Sequence, residues 1–526
     1  MKWHWLLPVI GILSLIVYLS ILPLGSLRGP ATTDFLWRYF LAFGLYALAI
    51  VPALRHPRFD LRVIWLFAIA FRVTLLFSPP TLSDDVYRYI WDGRVQNNGV
   101  NPYAYRVDAP QLDSLSTPNR ARVNNAWMAS PYLPVAQLYF AVTYRLAPES
   151  AAAFQIGAVA LDLATGLFVV PALRRVNLPK TNAIIYLWNP LVIVEAAHGA
   201  HVDTLMTMLM MASLWLFTWV CPRRGEASQR LSENSPPRHP GTKKSVMTLS
   251  AVLLALATLV KPVPVLLVPV VMWRWGWKRT LLYAGIAAAG ILAYSGAGLG
   301  LGSELAGTGV FGATRIYLSQ WNFNGGLFHW LELALTGVST PGAAPIELAG
   351  TGGTLARSIV AAALVAVLAG IGLWARRIYD ARAVLQIALL PLGAYVLLAT
   401  TINPWYLMPV IALLPFQADF VEAGVLSHAL RSPRPRAKRG GVGSDAEGGA
   451  QRSRMALHLA RALRLSAWLY FSAAVALSYL TYVDANPLKW GETYEVRALE
   501  YLPFYALLIA FAATLWRARR SMRPGT

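Results

Sequence analysis

LRVIWLFAIAFRVTLLFSPPTLSDDVYRYIWDGRVQNNGVNPYAY, residues 61–105, decides how the chain is read. An apolar run over 62–78 is stopped by Pro79 and Pro80 and followed at once by a stretch dense in Asp, Arg, Asn, Tyr and Trp. A helix needs roughly 20 apolar residues to cross a bilayer. Runs of that kind recur outward from this one. Candidate spans are 5–24, 35–54, 62–78, 151–173, 181–197, 203–220, 246–260, 262–274, 280–299, 354–375, 383–400, 404–420, 466–483 and 499–516. The short pair at 246–274 reads as a broken or re-entrant hairpin. The expected fold is all-α and polytopic, with about fourteen spans. Of 526 residues, 56% are hydrophobic and 13% charged, and the mean hydropathy is +0.48. Soluble domains carry about 25% charged residues, so a string of soluble domains is excluded.

The balance is basic, 46 Lys+Arg against 25 Asp+Glu, a net +21. Nucleic acid is not the expected partner, because the cations sort by loop parity. Arg55, Arg58 and Arg62, then Arg174, Arg175 and Lys180, then Lys278 and Arg279, then Arg376, Arg377 and Arg382 fall on one side, with 429–465 and the tail Arg517, Arg519, Arg520. Basic loops stay cytoplasmic and meet anionic lipid. This places both termini in the cytoplasm of a cell inner (plasma) membrane. The single cysteine, Cys221, rules out an internal disulfide and a cysteine-rich metal site. The first apolar run lacks a cleavage pattern and is expected to stay as a span.

Two cytoplasmic segments, 221–245 and 431–454 within the basic loop 429–465, are rich in Pro, Gly, Ser and charge and read as disordered linkers. The outer loops 79–130 and 300–353 are not low-complexity. They divide the chain into a module over 1–420, which holds the outer loops, and C-terminal helices over 466–526. No internal repeat of the secondary-transporter kind is evident.

In the first outer loop Ser83 is a good N-cap, with Asp84 and Asp85 in the first turn of an amphipathic helix that Gly99 and Pro102 end. The bland reading is that the acids stabilise the helix dipole and pair with Arg88 at i,i+4 spacing, as Arg88 and Asp92 could. Their place at the outer mouth of a span, where ionisable groups are costly and usually functional, favours a site. Tyr87, Arg88, Trp91, Asp92, Arg94, Asn101 and Tyr103 crowd the same stretch.

SDDVYRYIWDGRVQNNGVNPY at 83–103 resembles the first-loop motif of GT-C-fold glycosyltransferases, most closely the bacterial polyprenol-phosphate-mannose-dependent alpha-mannosyltransferases. NNAWMASPYLPVAQLYF at 124–140, LWNPLVIVEAAHGAHVD at 187–203, Lys261-Pro262, RIYLSQWNFNGGLF at 315–328 and Asn403-Pro404-Trp405-Tyr406 resemble further family segments in the expected order. Ala200 stands where the resemblance expects Gly, and Leu133 where it expects Pro.

The resemblance implies a mannosyl or related hexosyl donor on polyprenyl phosphate. A lipid or glycan acceptor would be glycosylated on the non-cytoplasmic face, with inversion. An acceptor hydroxyl is a weak nucleophile, so a carboxylate must take its proton. Asp84 or Asp85 is assigned that role, with Asp85 preferred. The departing phosphate needs preorganised cations. Candidates are Arg88, Lys261, His198, His201 and Arg315. Lys261 interrupts the apolar run LATLVKPVPVLLVP on the outer side, and the bland alternative is snorkelling. Glu195, His198, His201 and Asp203 cluster at the outer end of a span. They suit hydrogen bonding to phosphate or sugar. No H-E-x-x-H is present, so no metal or other cofactor is assigned, and a divalent ion stays open. Trp321, Asn322, Asn324, Trp405 and Tyr406 suit sugar binding, with an interfacial aromatic belt as the alternative. With Tyr87, Asp92, Arg94, Asn101, Tyr103, Glu195 and Asp203 they complete the candidate substrate-binding set.

Two other classes compete. A flippase or transporter of lipid-linked sugars predicts ionisable groups at mid-membrane and broken helices in both halves. A lipid-linked glycan ligase or polymerase predicts a catalytic Arg or His in a late outer loop, where Arg315 and His329 stand.

Overall fold

The computed structural model describes residues 5–56, 59–221, 240–301, 307–337, 351–418, 443–483 and 494–521. Of the expected segments, 222–239 of the first linker, 302–306 and 338–350 of the 300–353 loop and 429–442 of the basic loop lie outside the described residues. Among the described residues eight helices are long and apolar enough to cross a bilayer, from Leu6–Leu24 to Glu495–Ala518. Three shorter apolar helices, Lys244–Thr258, Val263–Trp275 and Pro404–Phe416, accompany them. β-type pairing in the described residues is confined to isolated bridges of Phe323 and Asn324 with Thr401. The chain is an all-α, multi-pass membrane protein. Residues 443–465 differ from expectation: they are part of one helix, Gly443–Ala474, that runs into the span. Its Ala-, Leu- and Arg-rich stretch ALHLARALRL is made of strong helix formers.

In chain order the helices that matter for the site begin with α1 (Leu6–Leu19), α2 (Ala31–Arg55) and α3 (Leu61–Leu75). A packed pair follows, α4 (Asp85–Asn97) and α5 (Pro134–Leu146). Next come α6 (Ala151–Arg175), α7 (Ile184–Leu187), α8 (Pro190–Ala197), α9 (Asp203–Val220) and α10 (Pro240–Thr258). α6 and α10 both pack along α9. α4 lies on α5, with the Tyr89 and Phe140 rings stacked at 4.5 Å. A Cβ at Gly93 would stand 2.6 Å from the Phe140 carbonyl, so only glycine allows this crossing. Together with Val86, Ile90, Val95, Phe154 and Met206 these residues form an apolar core outside the main one.

The main core is built around two interrupted helices. IIYLWNPLVIVEAA, 184–197, is apolar all round and wholly buried, as such a helix must be. Asn189-Pro190 breaks it, and the Asn189 side chain caps the second half by accepting from Leu191 N at 3.0 Å. The second interrupted segment is Pro404–Phe416. A break in lipid leaves carbonyls that water cannot reach, and each must find a donor inside the protein. Arg72 Nη1 donates to Leu187 O at 2.8 Å and the Tyr46 hydroxyl to Ile185 O at 2.6 Å. Asn182 Nδ2 donates to Pro415 O and Ala418 O, and Gln386 to Phe416 O. Arg72 is held by Asp162, whose other oxygen accepts the Tyr186 hydroxyl; both charged side chains are fully buried.

Removing one partner of a buried pair leaves the other uncompensated, at a cost of about 3–5 kcal/mol. Arg72→Met should lower stability by that order in thermal unfolding of detergent-solubilised protein. Adding Asp162→Leu should recover only part, because Leu187 O still lacks its donor. A single variant as stable as the parent would show that the pair does not support the break.

Candidate active site

The Pro-Pro turn after α3 sets the position of the acidic pair. His198, just past α8, braces it: Nε2 accepts from Thr81 N at 3.1 Å and Leu82 N at 3.3 Å. That leaves the ring proton on Nδ1, which lies 3.1 Å from Ser78 Oγ. Burial pushes His198 down to about 3, helped by His201 and Arg28, so it is a neutral strut and not a cation for a phosphate.

The two acids diverge from here. Asp84 occupies the N-cap position of α4 but makes no capping bond; the Ser83 hydroxyl accepts from Asp85 N instead. Asp84 is paired with Arg28 at 2.7 Å, from the α1–α2 connection, and Arg28 also covers the Tyr482 ring. Asp85 turns inward. Its Oδ1 accepts from Asn124 Nδ2 at 2.9 Å and its Oδ2 from the Tyr132 hydroxyl at 3.1 Å. His201 Nδ1 lies 3.8 Å from the same Oδ2.

Around Asp85 stand further predicted residues. Lys261 Nζ is 2.6 Å from the buried Asp203 carboxylate and faces the Tyr406 ring at 5.0 Å. The Tyr406 hydroxyl meets that of Tyr317 on the helix Gly312–Gln320, which also carries Arg315. The His201 ring is stacked on Trp405 at 3.9 Å, and its Nε2 is 3.1 Å from Glu195 Oε2. The structure therefore brings together Asp85, Glu195, His201, Asp203, Lys261, Trp405 and Tyr406. Trp321 sits at the edge, nearly parallel to Trp127 at 6.4 Å.

Other predicted residues are engaged elsewhere. Neither i,i+4 pair of Arg88 forms: its guanidinium donates to the carbonyls of Asn124, Asn125 and Met128 and so shapes the turn that delivers Asn124 to Asp85. Asp92 accepts from Ser130 and Gln137 inside the α4–α5 interface. Arg94 pairs with Glu149 at 3.1 Å, Asn101 donates to Tyr294 O, and the Tyr103 hydroxyl donates to Tyr132 O. Tyr87 carries the Arg122 guanidinium on its ring at 3.8 Å, beside Asp84. Asn322 donates to Glu332 at 2.8 Å. Asn324 is bridged to Thr401, and its own carbonyl accepts the Tyr501 hydroxyl. Among the described residues no group of three or more His, Cys, Asp or Glu is arranged to hold a metal ion.

Sequence reasoning passed over Arg28, Asn124, Tyr132, Tyr479 and Tyr482. Asn124 and Tyr132 lie in a stretch already marked by resemblance. Tyr479 and Tyr482 sit in ordinary apolar surroundings far along the chain, and Arg28 in a short connection near its start, where no local pattern marks them. Tyr479 donates to Glu195 Oε1 at 2.6 Å, and Gly29 N donates to Tyr482 O at 2.9 Å.

A polytopic helical protein with a carboxylate–cation cluster where helices meet the 79–130 loop is the class this geometry defines. Residues 24–277 match the model of the family described as "Alpha-(1->6)-mannopyranosyltransferase, N-terminal domain". A "probable alpha-(1->6)-mannopyranosyltransferase" of Mycolicibacterium smegmatis (strain ATCC 700084 / mc(2)155) is 28% identical over 225 residues, 39% of each chain. The match thus spans about two fifths of that relative's length. Crystal structures of ArnT from Cupriavidus metallidurans overlap loosely, each with a TM-score of 0.41. One is bound to undecaprenyl phosphate (17% identity, 86% of this chain, 78% of that one) and the other is in the apo state (15%, 87% and 78%).

The departure at Ala200 has a structural counterpart. Ala200 has φ +55, the left-handed region where glycine is at ease. Such a residue stores about 1–3 kcal/mol of strain. Ala200→Gly should therefore stabilise the protein by roughly 1 kcal/mol in the same unfolding measurement, net of the extra freedom glycine gains when unfolded.

Burial raises the Asp92 carboxyl to about 6, against the pull of Arg88, Ser130 and Gln137. An acid raised in the folded state favours folding most below its ordinary value near 3.8 and loses that contribution as pH rises through about 6. Stability should therefore fall over that window through Asp92. Asp92→Asn should flatten that part of the Tm–pH curve; an unchanged curve would remove Asp92 as its cause.

Proposed function

We propose that the chain transfers a hexose, mannose by its family, from a polyprenyl-phosphate donor to a lipid or glycan acceptor. The family's name suggests an alpha-(1→6) linkage. The fold is then of GT-C type, the site faces the non-cytoplasmic side of the plasma membrane, and both termini are cytoplasmic. The observation that carries this reading is the pose of Asp85. Its carboxylate is fixed by Asn124 and Tyr132, stays partly open, and lies in one cluster with Lys261.

Asp85 is the general base. It removes the proton of the acceptor hydroxyl as that oxygen attacks the anomeric carbon. The bond from that carbon to the phosphate oxygen breaks with its electron pair, in a single inverting displacement. A phosphate monoester leaves well once its charge is met, and Lys261 supplies that charge from beside Tyr406. Asp203 holds the ammonium meanwhile. Asp84, occupied by Arg28, positions the loop. Trp405 and Tyr406 offer apolar faces to the sugar. No step in this chemistry calls for a metal or other cofactor.

The test is release of polyprenyl phosphate from polyprenyl-phosphate mannose by purified protein in the presence of a mannoside acceptor. Asp85→Asn should insert and fold yet lose about 10²–10⁴-fold in kcat. Asp84→Asn should lose far less, because it weakens a positioning contact only. Full activity in Asp85→Asn would overturn the base assignment. No release by the parent protein with any polyprenyl-phosphate hexose would overturn the function.

A further inference from the structure

His201 is the least expected member of the cluster. The side chain is completely buried, and neither ring nitrogen has an aligned hydrogen-bond partner. Both face carboxylates: Nδ1 is 3.8 Å from Asp85 Oδ2 and Nε2 is 3.1 Å from Glu195 Oε2. A buried imidazole is normally satisfied at one nitrogen at least, so this arrangement is held from outside. Four contacts hold it. Trp405 lies flat against one face of the ring at 3.9 Å. Gly199 lies along its edge, where a Cβ would come within 2.6 Å of Cδ2 and 2.8 Å of Nε2. The left-handed turn at Ala200 folds the backbone back so that His201 N donates to Glu195 O at 3.1 Å. Glu195 in turn is fixed through its other oxygen by the Tyr479 hydroxyl. The remaining charged groups of the surroundings are engaged: Lys261 with Asp203, Arg28 with Asp84, and neutral His198 with the Pro-Pro turn.

We propose that His201, oriented by Glu195 and Tyr479, is a positioning residue for the base that receives the proton Asp85 takes from the acceptor. The inference rests on the function proposed above. A carboxylate binds a proton weakly. An imidazole flanked by two carboxylates is a good proton acceptor, and Nδ1 stands 3.8 Å from Asp85 Oδ2, so the proton passes from Asp85 to Nδ1 with a small turn of the ring. As the ring turns, Glu195 Oε2, 3.1 Å away, accepts from Nε2–H, which leaves the Nδ1 lone pair toward Asp85, and it faces the imidazolium once that forms. The balance is complete. The acceptor O–H breaks and the new bond to the anomeric carbon forms. The old bond's electron pair leaves with phosphate, and the proton rests on His201 until the products depart and water takes it.

The test uses the full chain in lipid vesicles with polyprenyl-phosphate mannose and a mannoside acceptor, read as kcat, donor KM and the pH profile of kcat. In the parent, activity should rise with pH through a single limb. His201→Gln should lower kcat about 100-fold, leave donor KM within about twofold, and displace that limb. Glu195→Gln should do nearly as much. Its amide would donate to Nε2, force the ring proton onto Nδ1 and so block transfer from Asp85. Tyr479→Phe, which keeps the ring and removes one hydrogen bond, should lower kcat several-fold and shift the limb the same way. It stands in if His201→Gln fails to fold. A His201→Gln protein with unchanged kcat and limb overturns the proposal, as does one that loses donor KM alone, which would mark a phosphate ligand. If Tyr479→Phe is the readout, an unmoved limb overturns it. In each case inactivity of Asp85→Asn still separates this failure from failure of the transferase reading.

Discussion

A backbone broken inside lipid must find every missing donor within the protein, and the whole site depends on how that is done at Leu187–Pro190. Arg72 supplies the donor for the Leu187 carbonyl and is itself compensated by Asp162. Because the break is stabilised, the next eight residues restart at a fixed angle as Pro190–Ala197, and the chain leaves this helix carrying Glu195, His198 and His201. An unbroken helix would present these side chains around its circumference. The interrupted one delivers them to a turn, where Gly199 and Ala200 can aim His201 sideways. Charge deep in the core thus serves geometry at the mouth.

The acidic pair shows the same division between chemistry and support. Two adjacent aspartates look equivalent in sequence, yet the helix start separates them by direction. Asp84 points to Arg28 and the C-terminal segment, and Asp85 points to Asn124, Tyr132 and His201. Arg88 has a similar supporting part, since its three carbonyl contacts fold the 124–128 turn over Asp85. Basic side chains beside a carboxylate are easily taken for ligand contacts. Here Arg88 and His198 are committed to backbone.

Much of this was legible from apolar run lengths. The spans at 151–173 and 203–220 are found as Ala151–Arg175 and Asp203–Val220, because long apolar runs have few alternatives in lipid. The short hairpin at 246–274 is found as two short apolar helices. The interruption at 187–190 was not foreseen. Asn-Pro signals it, but a fourteen-residue apolar stretch reads equally well as one helix. The first outer loop was legible because polar residues are conspicuous next to a span. The partners supplied by Arg28, Tyr479 and Tyr482 were not, since a tyrosine in an apolar run carries no mark of what its hydroxyl will meet hundreds of residues away. The helix over 443–465 was hidden by its Gly- and charge-rich start, which resembles linker composition.

Tyr479 and Tyr482 close the site from a stretch made late in synthesis, long after Asp84 and Asp85 have left the ribosome. Gly29 and Arg28, from one of the first loops, wait for them. Until the late helices insert, the early acidic turn lacks two of its ties and Glu195 lacks its hydroxyl. Such a chain has a built-in delay: the carboxylate turn gains its last ties only when the final helices arrive.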